Sequence, residues 1–168
     1  MKTRAYSEKN VRRQKQMRML QRFLILVLAV FLIFRFVIGV SFVNGDSMKN
    51  TLQNGQLVVY ARILKQVQRG SVVSLGIADG SFYVKRVIAV EGDVVDIRDG
   101  AVYVNGEKEQ GDYFIGETKP EEGQISYPYT VQPGDVFVLG DNREVSIDSR
   151  FYGPFNRSKV IGVLLFVE

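Results

Sequence analysis

Apolar positions fall along this chain in two regimes. From 23 to 43 they are nearly continuous, with Arg35 as the single charge. A helix of that length, at about 1.5 Å per residue, spans about 30 Å, the hydrocarbon thickness of a bilayer. Beyond position 44 the apolar residues come in short runs separated by Gly, Asp and Asn. The runs 56–63 (QLVVYARI), 71–75 (SVVSL), 81–90 (SFYVKRVIAV), 93–98 (DVVDIR), 101–104 (AVYV), 135–139 (DVFVL) and 160–167 (VIGVLLFV) predict seven strands. Asp99-Gly100 and Asn105-Gly106 are type I′ hairpin signals at two of the junctions. The step Gly-Asp-Val at 92–94 and 134–136, with Gly70-Ser71-Val72 as a variant, reads as turn chemistry rather than a metal-loop repeat. Residues 107–130 are acidic, carry Gly111, Gly116, Gly123, Pro120 and Pro128, and show weak periodicity, which predicts a long excursion or small subdomain. The pattern therefore predicts one transmembrane helix at 23–43 and one mainly β domain at 44–168, either a folded-over sheet or a partly open barrel.

Charge sharpens the first regime. The tail 1–22 holds eight Lys or Arg against one acid, Glu8, whereas the chain after Arg35 is net negative. A basic flank on one side of an apolar span predicts a cytoplasmic tail, with everything after the span outside. It also accounts for the overall charge of +4 without nucleic acid as a partner. Arg35 lies toward the outer end, where its side chain can snorkel to the interface. The alternative is a cleaved leader, since 23–34 has the length of a leader's apolar core. No A-x-A-like site follows it, and apolar residues continue past Arg35. With 168 residues, subtraction of the span leaves enough chain for one domain.

Composition then narrows the chemistry. There is no His and no Cys, so a serine nucleophile here cannot hand its proton to an imidazole, and structural or catalytic zinc sites lack their usual ligands. A lysine is the leading candidate base. Ser47, in Gly45-Asp46-Ser47-Met48 just after the span, and Lys85, inside the apolar run 81–90, are the candidate pair. To work as a base near neutral pH, Lys85 needs its pKa lowered by roughly three units, and burial among Phe82, Val84, Val87 and Ile88 is the means. Strand alternation puts Lys85 on one face with Tyr83 and Val87 and Arg86 on the other. A solvent-facing edge strand would carry the same two cations.

The third polar stretch changes the balance. Gly140-Asp141-Asn142-Arg143-Glu144-Val145-Ser146-Ile147-Asp148-Ser149-Arg150-Phe151-Tyr152-Gly153 lies between two apolar runs. Together with Gly45-Asp46-Ser47-Met48 and Tyr83-Val84-Lys85-Arg86-Val87-Ile88 followed by Gly92-Asp93, it closely resembles the type I signal peptidases, membrane-bound serine proteases that cut signal peptides from exported proteins. The resemblance covers most of the chain apart from 107–130. It implies a signal-peptidase and LexA-like folded β-sheet, a pseudo-barrel, behind one membrane helix. It also implies no cofactor and no metal. By the same resemblance Ser47 is the nucleophile and Lys85 the general base, and Ser146 hydrogen-bonds the lysine amine and orients it. Asp148 is the acidic residue near the site, and Met48 buries the lysine and lines the pocket for small side chains. Arg86, Asp141, Arg143 and Arg150 form structural ion pairs. The implied partners are exported preproteins of Ala-x-Ala type, the lipid bilayer of a bacterial plasma membrane and the secretion translocon.

The sequence departs from the family pattern in the first box. Asn50 stands where proline is expected, which removes a φ restraint and predicts a looser loop after the nucleophile. Gly45 stands where some members have a serine that donates to the oxyanion, leaving that task mainly to the Ser47 backbone N–H. Two other classes were weighed. A non-proteolytic relative assisting surface-pilus assembly is disfavoured by the intact Ser47 and Lys85. A self-cleaving regulator of LexA type is disfavoured by the span and by the complete run 140–153.

Overall fold

The computed structural model describes residues 2–63, 66–77, 81–121 and 125–165, with side chains from 12 onward. The chain divides into two units, Met1–Val37 and Ile38–Glu168.

The first unit is helix α1, Lys2–Leu32, continued by a π-helical turn, Ile33–Val37. The 26-residue stretch Arg12–Val37 contains an 18-residue window with a mean hydropathy of 2.3 and is long and apolar enough to cross a membrane. Phe23, Leu24, Ile25 and Leu26 are all more than half exposed.

The expected span to residue 43 is corrected at its far end: the helix stops at Val37, and Ile38–Phe42 is strand β1. The residues explain why. Ile38, Val40 and Phe42 alternate with Gly39 and Ser41, a period of two that suits a strand. β1 pairs antiparallel with β2, Leu57–Ala61, from Ile38↔Ala61 to Phe42↔Leu57. Gly39 admits the ring of Tyr60, whose atoms lie 2.1 Å from where a Cβ would be.

The remaining strands are β3 (Val72–Gly76), β4 (Phe82–Val90), β5 (Val94–Arg98), β6 (Ala101–Val104), β7 (Glu107–Lys108), β8 (Tyr129–Thr130), β9 (Asp135–Leu139), β10 (Phe155–Asn156) and β11 (Val160–Leu164). A single turn of helix, α2 (Ser149–Tyr152), precedes β10. Two sheets result, one of seven strands in the order β1-β2-β11-β3-β4-β9-β10 and one of four in the order β7-β6-β5-β8. All the named pairs are antiparallel.

All seven expected strands are present. Of the last, expected over 160–167, positions 166 and 167 lie outside the described residues. Both I′ signals close hairpins, with Asp99, Gly100, Asn105 and Gly106 all at positive φ. The excursion 107–130 is not independent: its two ends are β7 and β8, which extend the small sheet on either side, while 122–124, including Gly123, lie outside the described residues.

The strand that places the site is β4, central in the large sheet. Its odd positions Tyr83 and Val87 pack with Val73, Leu75, Val136 and Val138. On the even side Ile88 packs with Ala89, Val95, Ile97, Phe137 and Leu139 in a second core. β9 reads as a continuous apolar run because Val136 and Val138 serve one core and Phe137 and Leu139 the other. Lys85 and Arg86 are thus carried into the middle of a sheet covered on both faces, opposite Val73 and Val72, and the edge-strand alternative is excluded.

Candidate active site

Ser47 sits in a loop closed at its base by Val43 N–H donating to the Gln56 carbonyl (2.9 Å) and Gly55 N–H to the Val43 carbonyl (2.8 Å). Met48 and Leu52, 1% and 2% exposed, pin this loop to a third core with Val58, Tyr60 and Val72, against which Val84 of β4 also packs. Met48 is therefore a core anchor of the Ser47 loop. Gly45, at φ +93, turns the chain into it, and its N–H donates to Asn54 Oδ1.

Lys85 reaches this loop from β4. Its Nζ lies 2.7 Å from Ser47 Oγ and donates to it; with the amine neutral, the same line lets Oγ–H donate to nitrogen. Lys85 is 4% exposed, and burial pushes its pKa down from 10.5 to about 8. Asp148 and Asp141 oppose that shift and Arg150 adds to it. The Tyr83 ring, 5.5 Å from Nζ, completes an apolar wall.

The polar stretch 140–150 wraps behind the pair. Asn142 N–H donates to the Ser47 carbonyl (2.9 Å), and its Nδ2 to the Asp46 carbonyl (3.2 Å). Gly140 is obligatory there: a Cβ would lie 2.2 Å from Ser146 Oγ and 2.5 Å from the Ser47 carbonyl oxygen. Asp148 caps α2, accepting from Arg150 N–H, and also accepts from Gly140 N–H at 3.0 Å.

The four charged residues expected to form ion pairs are all paired and all buried. Arg86 grips both carboxylate oxygens of Asp141 at 2.9 and 2.7 Å, and also donates to Thr51 Oγ1 and the Gly70 carbonyl. Arg150 holds both oxygens of Asp148 and donates to the carbonyls of Arg143 and Ser146. The partner of Arg143 is Glu109, gripped twice at 2.7 Å, a pairing that nothing local to either residue marks.

One expected contact is absent. Among the described residues Ser146 Oγ is buried without a hydrogen-bond partner, so it does not bond the lysine amine. The hydroxyl is turned instead against the bare backbone of Gly140.

In the loop after Ser47, Asn50 supplies a restraint that proline could not. Its φ is +98, which proline, locked near −65°, cannot adopt, and its Nδ2 donates to the Asp112 carbonyl at 2.6 Å. A different restraint has replaced the missing one. Among the described residues no cluster of three or more acidic side chains could hold a metal ion.

Such an arrangement can activate a serine hydroxyl by direct proton transfer to an amine, with a rigid, internally charge-balanced frame behind it. The chain is similar to known proteins over most of its length. The family described as signal peptidase, peptidase S26, matches residues 16–167. The chain is 32% identical over 154 residues to signal peptidase IB of Staphylococcus aureus, covering 82% of this chain and 81% of that one. It is 35% identical over 156 residues to signal peptidase I of Bacillus licheniformis, covering 86% and 83%. A solved signal peptidase I from Enterococcus faecalis V583 is similar in fold, with a TM-score of 0.50 and 31% identity over 60% of this chain and 97% of that one.

Proposed function

The chain belongs to the signal peptidase, peptidase S26, family, whose function is removal of signal peptides, and from that premise we propose that it cuts with Ser47 as nucleophile and Lys85 as general base. The observation that carries this assignment is a buried lysine amine 2.7 Å from a serine hydroxyl. Magnitudes support it. With a pKa of about 8, about a tenth of Lys85 is neutral at pH 7; at the ordinary lysine value the fraction would be about 0.03%.

Neutral Lys85 takes the proton of Ser47 as Oγ attacks the scissile carbonyl. The Ser47 N–H stabilises the oxyanion, since among the described residues it makes no backbone hydrogen bond of its own. The ammonium then returns a proton to the leaving amine, and an acyl ester remains on Oγ. Water, losing a proton to the same amine, attacks the ester and releases the new carboxyl end.

Arg86, Asp141, Arg143, Asp148 and Arg150 hold the loops that carry the pair, while Met48 anchors the nucleophile loop from below. Gly45, bare of a side chain at φ +93, leaves open space beside that loop. The substrates are exported preproteins with small residues, Ala-x-Ala, before the cut. The helix over Arg12–Val37 anchors the chain as a single pass in the lipid bilayer, and its basic flank keeps the tail in the cytoplasm and the catalytic unit outside, where preproteins emerge from the translocon.

Cleavage of an Ala-x-Ala preprotein by the full chain in detergent tests the assignment. Ser47→Ala and Lys85→Ala are each expected to lower the rate by roughly 10³-fold or more. Below pH 8 the amine is mainly protonated and inactive, so the rate should rise with pH through about 8 and then level. Cutting by Ser47→Ala at a rate near that of the native chain would refute it.

A further inference from the structure

The nucleophile loop and the 140–143 loop are both tied to the same piece of the excursion. Asn50 Nδ2 donates to the Asp112 carbonyl at 2.6 Å, and the Tyr113 carbonyl lies 3.3 Å from Thr51 Oγ1. Two residues further on, Ile115 forms a parallel bridge with Asn142: its N–H donates to the Asp141 carbonyl (2.8 Å) and its carbonyl accepts from Arg143 N–H (3.0 Å). Asn142 N–H in turn holds the Ser47 carbonyl. The segment 112–115 is itself held by two charged side chains, Arg86 over the Tyr113 ring at 4.2 Å and Arg143 over the Phe114 ring at 4.4 Å.

We propose that 112–115 is a positioning strap for the nucleophile, and that Asn50 is the latch fastening it to the Ser47 loop. This deepens the Ser47–Lys85 reading and rests on it. The latch is local and specific. Asn50 is an exposed residue at φ +98, a conformation that costs free energy in any residue except glycine and is tolerated best by asparagine. Its amide is the only side-chain bond between the tip of the loop and the strap among the described residues, apart from the Thr51 hydroxyl, whose shorter bond goes to Asp141 at 2.5 Å. An exposed asparagine in strained backbone makes sense if what it holds must be held in place. Two ties then fix Ser47 from opposite sides. One runs through Asn142 to its carbonyl and the other through Asn50 three residues along, and both end on 112–115.

A strap that positions the nucleophile changes the rate of the chemical step and not the affinity for the preprotein or the basicity of Lys85. Asn50→Ala and Asn50→Gly, measured on the full chain in detergent with an Ala-x-Ala preprotein, are expected to lower kcat about tenfold. KM and the midpoint of the pH profile should be unchanged. Glycine accepts φ +98 freely but has no amide, so an equal loss in both variants assigns the effect to the latch and not to the backbone.

Gly111→Ala breaks the strap independently, because a Cβ there would lie 2.3 Å from the Tyr113 ring. Combined with Asn50→Ala it should lower kcat no further than the larger single loss, since both lesions undo one tie. Retention of kcat within twofold in both Asn50 variants overturns the proposal, as do losses that multiply in the double variant. Ser47→Ala in the same assay separates the two readings: if it still cuts, the dyad and the strap fall together. If it is dead while the Asn50 variants retain their rate, only the strap falls.

Discussion

On β4 two cations stand side by side, and their surroundings are opposites. Arg86, 8% exposed, meets a carboxylate with both arms, a hydroxyl, a carbonyl and the face of Tyr113. Lys85, 4% exposed, meets one neutral hydroxyl and, at 5.5 Å, the ring of Tyr83. The nearest acids, Asp148 and Asp141, are already gripped by arginines. A desolvated cation with its counter-ion in hand is a structural element, whereas a desolvated cation without one is pushed toward its neutral form. Arg86 thus has a carboxylate bonded to it, whereas among the described residues the hydrogen bond of Lys85 goes to a hydroxyl.

The largest break in this comparison comes from removing the counter-ion on the frame side. Asp141→Asn leaves the Arg86 guanidinium buried with only hydroxyl, carbonyl and ring partners, and is expected to cost about 3–5 kcal/mol of stability. The midpoint of urea unfolding, followed with the protein in detergent, should fall accordingly. A change below about 1 kcal/mol would mean that the two faces do not differ as argued.

On the dyad side the sign reverses. Below pH 8 Lys85 is protonated in the folded and unfolded chains alike, and the folded state carries the cost of burying that charge. The depression from 10.5 to about 8 corresponds to about 3 kcal/mol. Lys85→Met, apolar and of similar length, should therefore be inactive yet more stable at pH 7, by up to about 3 kcal/mol less the lost bond to Ser47. Between pH 8 and 10.5 the unfolded chain holds a proton that the folded one has lost, so native stability should rise with pH across that window. In Lys85→Met this rise should vanish. A variant less stable than the native chain at pH 7 would show that Lys85 is held by interactions that outweigh its burial.

This contrast was partly legible before any coordinates. Strand alternation separated Lys85 from Arg86, the absence of His and Cys pointed to a lysine as the candidate base, and Arg86, Asp141, Arg143 and Arg150 were expected in ion pairs without their partners being assigned. What stayed hidden depends on chain segments meeting at long range. Glu109 and Asp112 lie in a stretch with weak periodicity, and nothing local marks either as the partner of Arg143 or Asn50. β1 was hidden for a different reason: Ile38, Val40 and Phe42 are as apolar as the span they follow, so hydropathy alone ran the helix through them to residue 43. The alternation with Gly39 and Ser41 was the available signal. Asn50 read as a loss because proline was the reference; its φ of +98 shows a loop restrained by other means.

Ser146 gives the smallest and finest test, because it lies where the two regimes meet. Its carbonyl serves the frame, accepting from Arg150 Nη2 at 3.0 Å, while its hydroxyl is buried against Gly140 with no partner among the described residues. A buried hydroxyl without a bond costs stability, so Ser146→Ala should leave the fold as stable or raise stability by up to about 1 kcal/mol. Activity should move the other way. Once Lys85 has taken the Ser47 proton it becomes an ammonium with three donors, while Ser47 Oγ has turned to the substrate carbon, and a hydroxyl free to rotate is the acceptor that such a transient charge needs. Ser146→Ala is accordingly expected to lower kcat about tenfold with KM unchanged. Loss of stability without loss of kcat would place the Ser146 hydroxyl in the frame; the opposite pairing places it with the dyad, unbonded at rest and engaged only while Lys85 carries the proton.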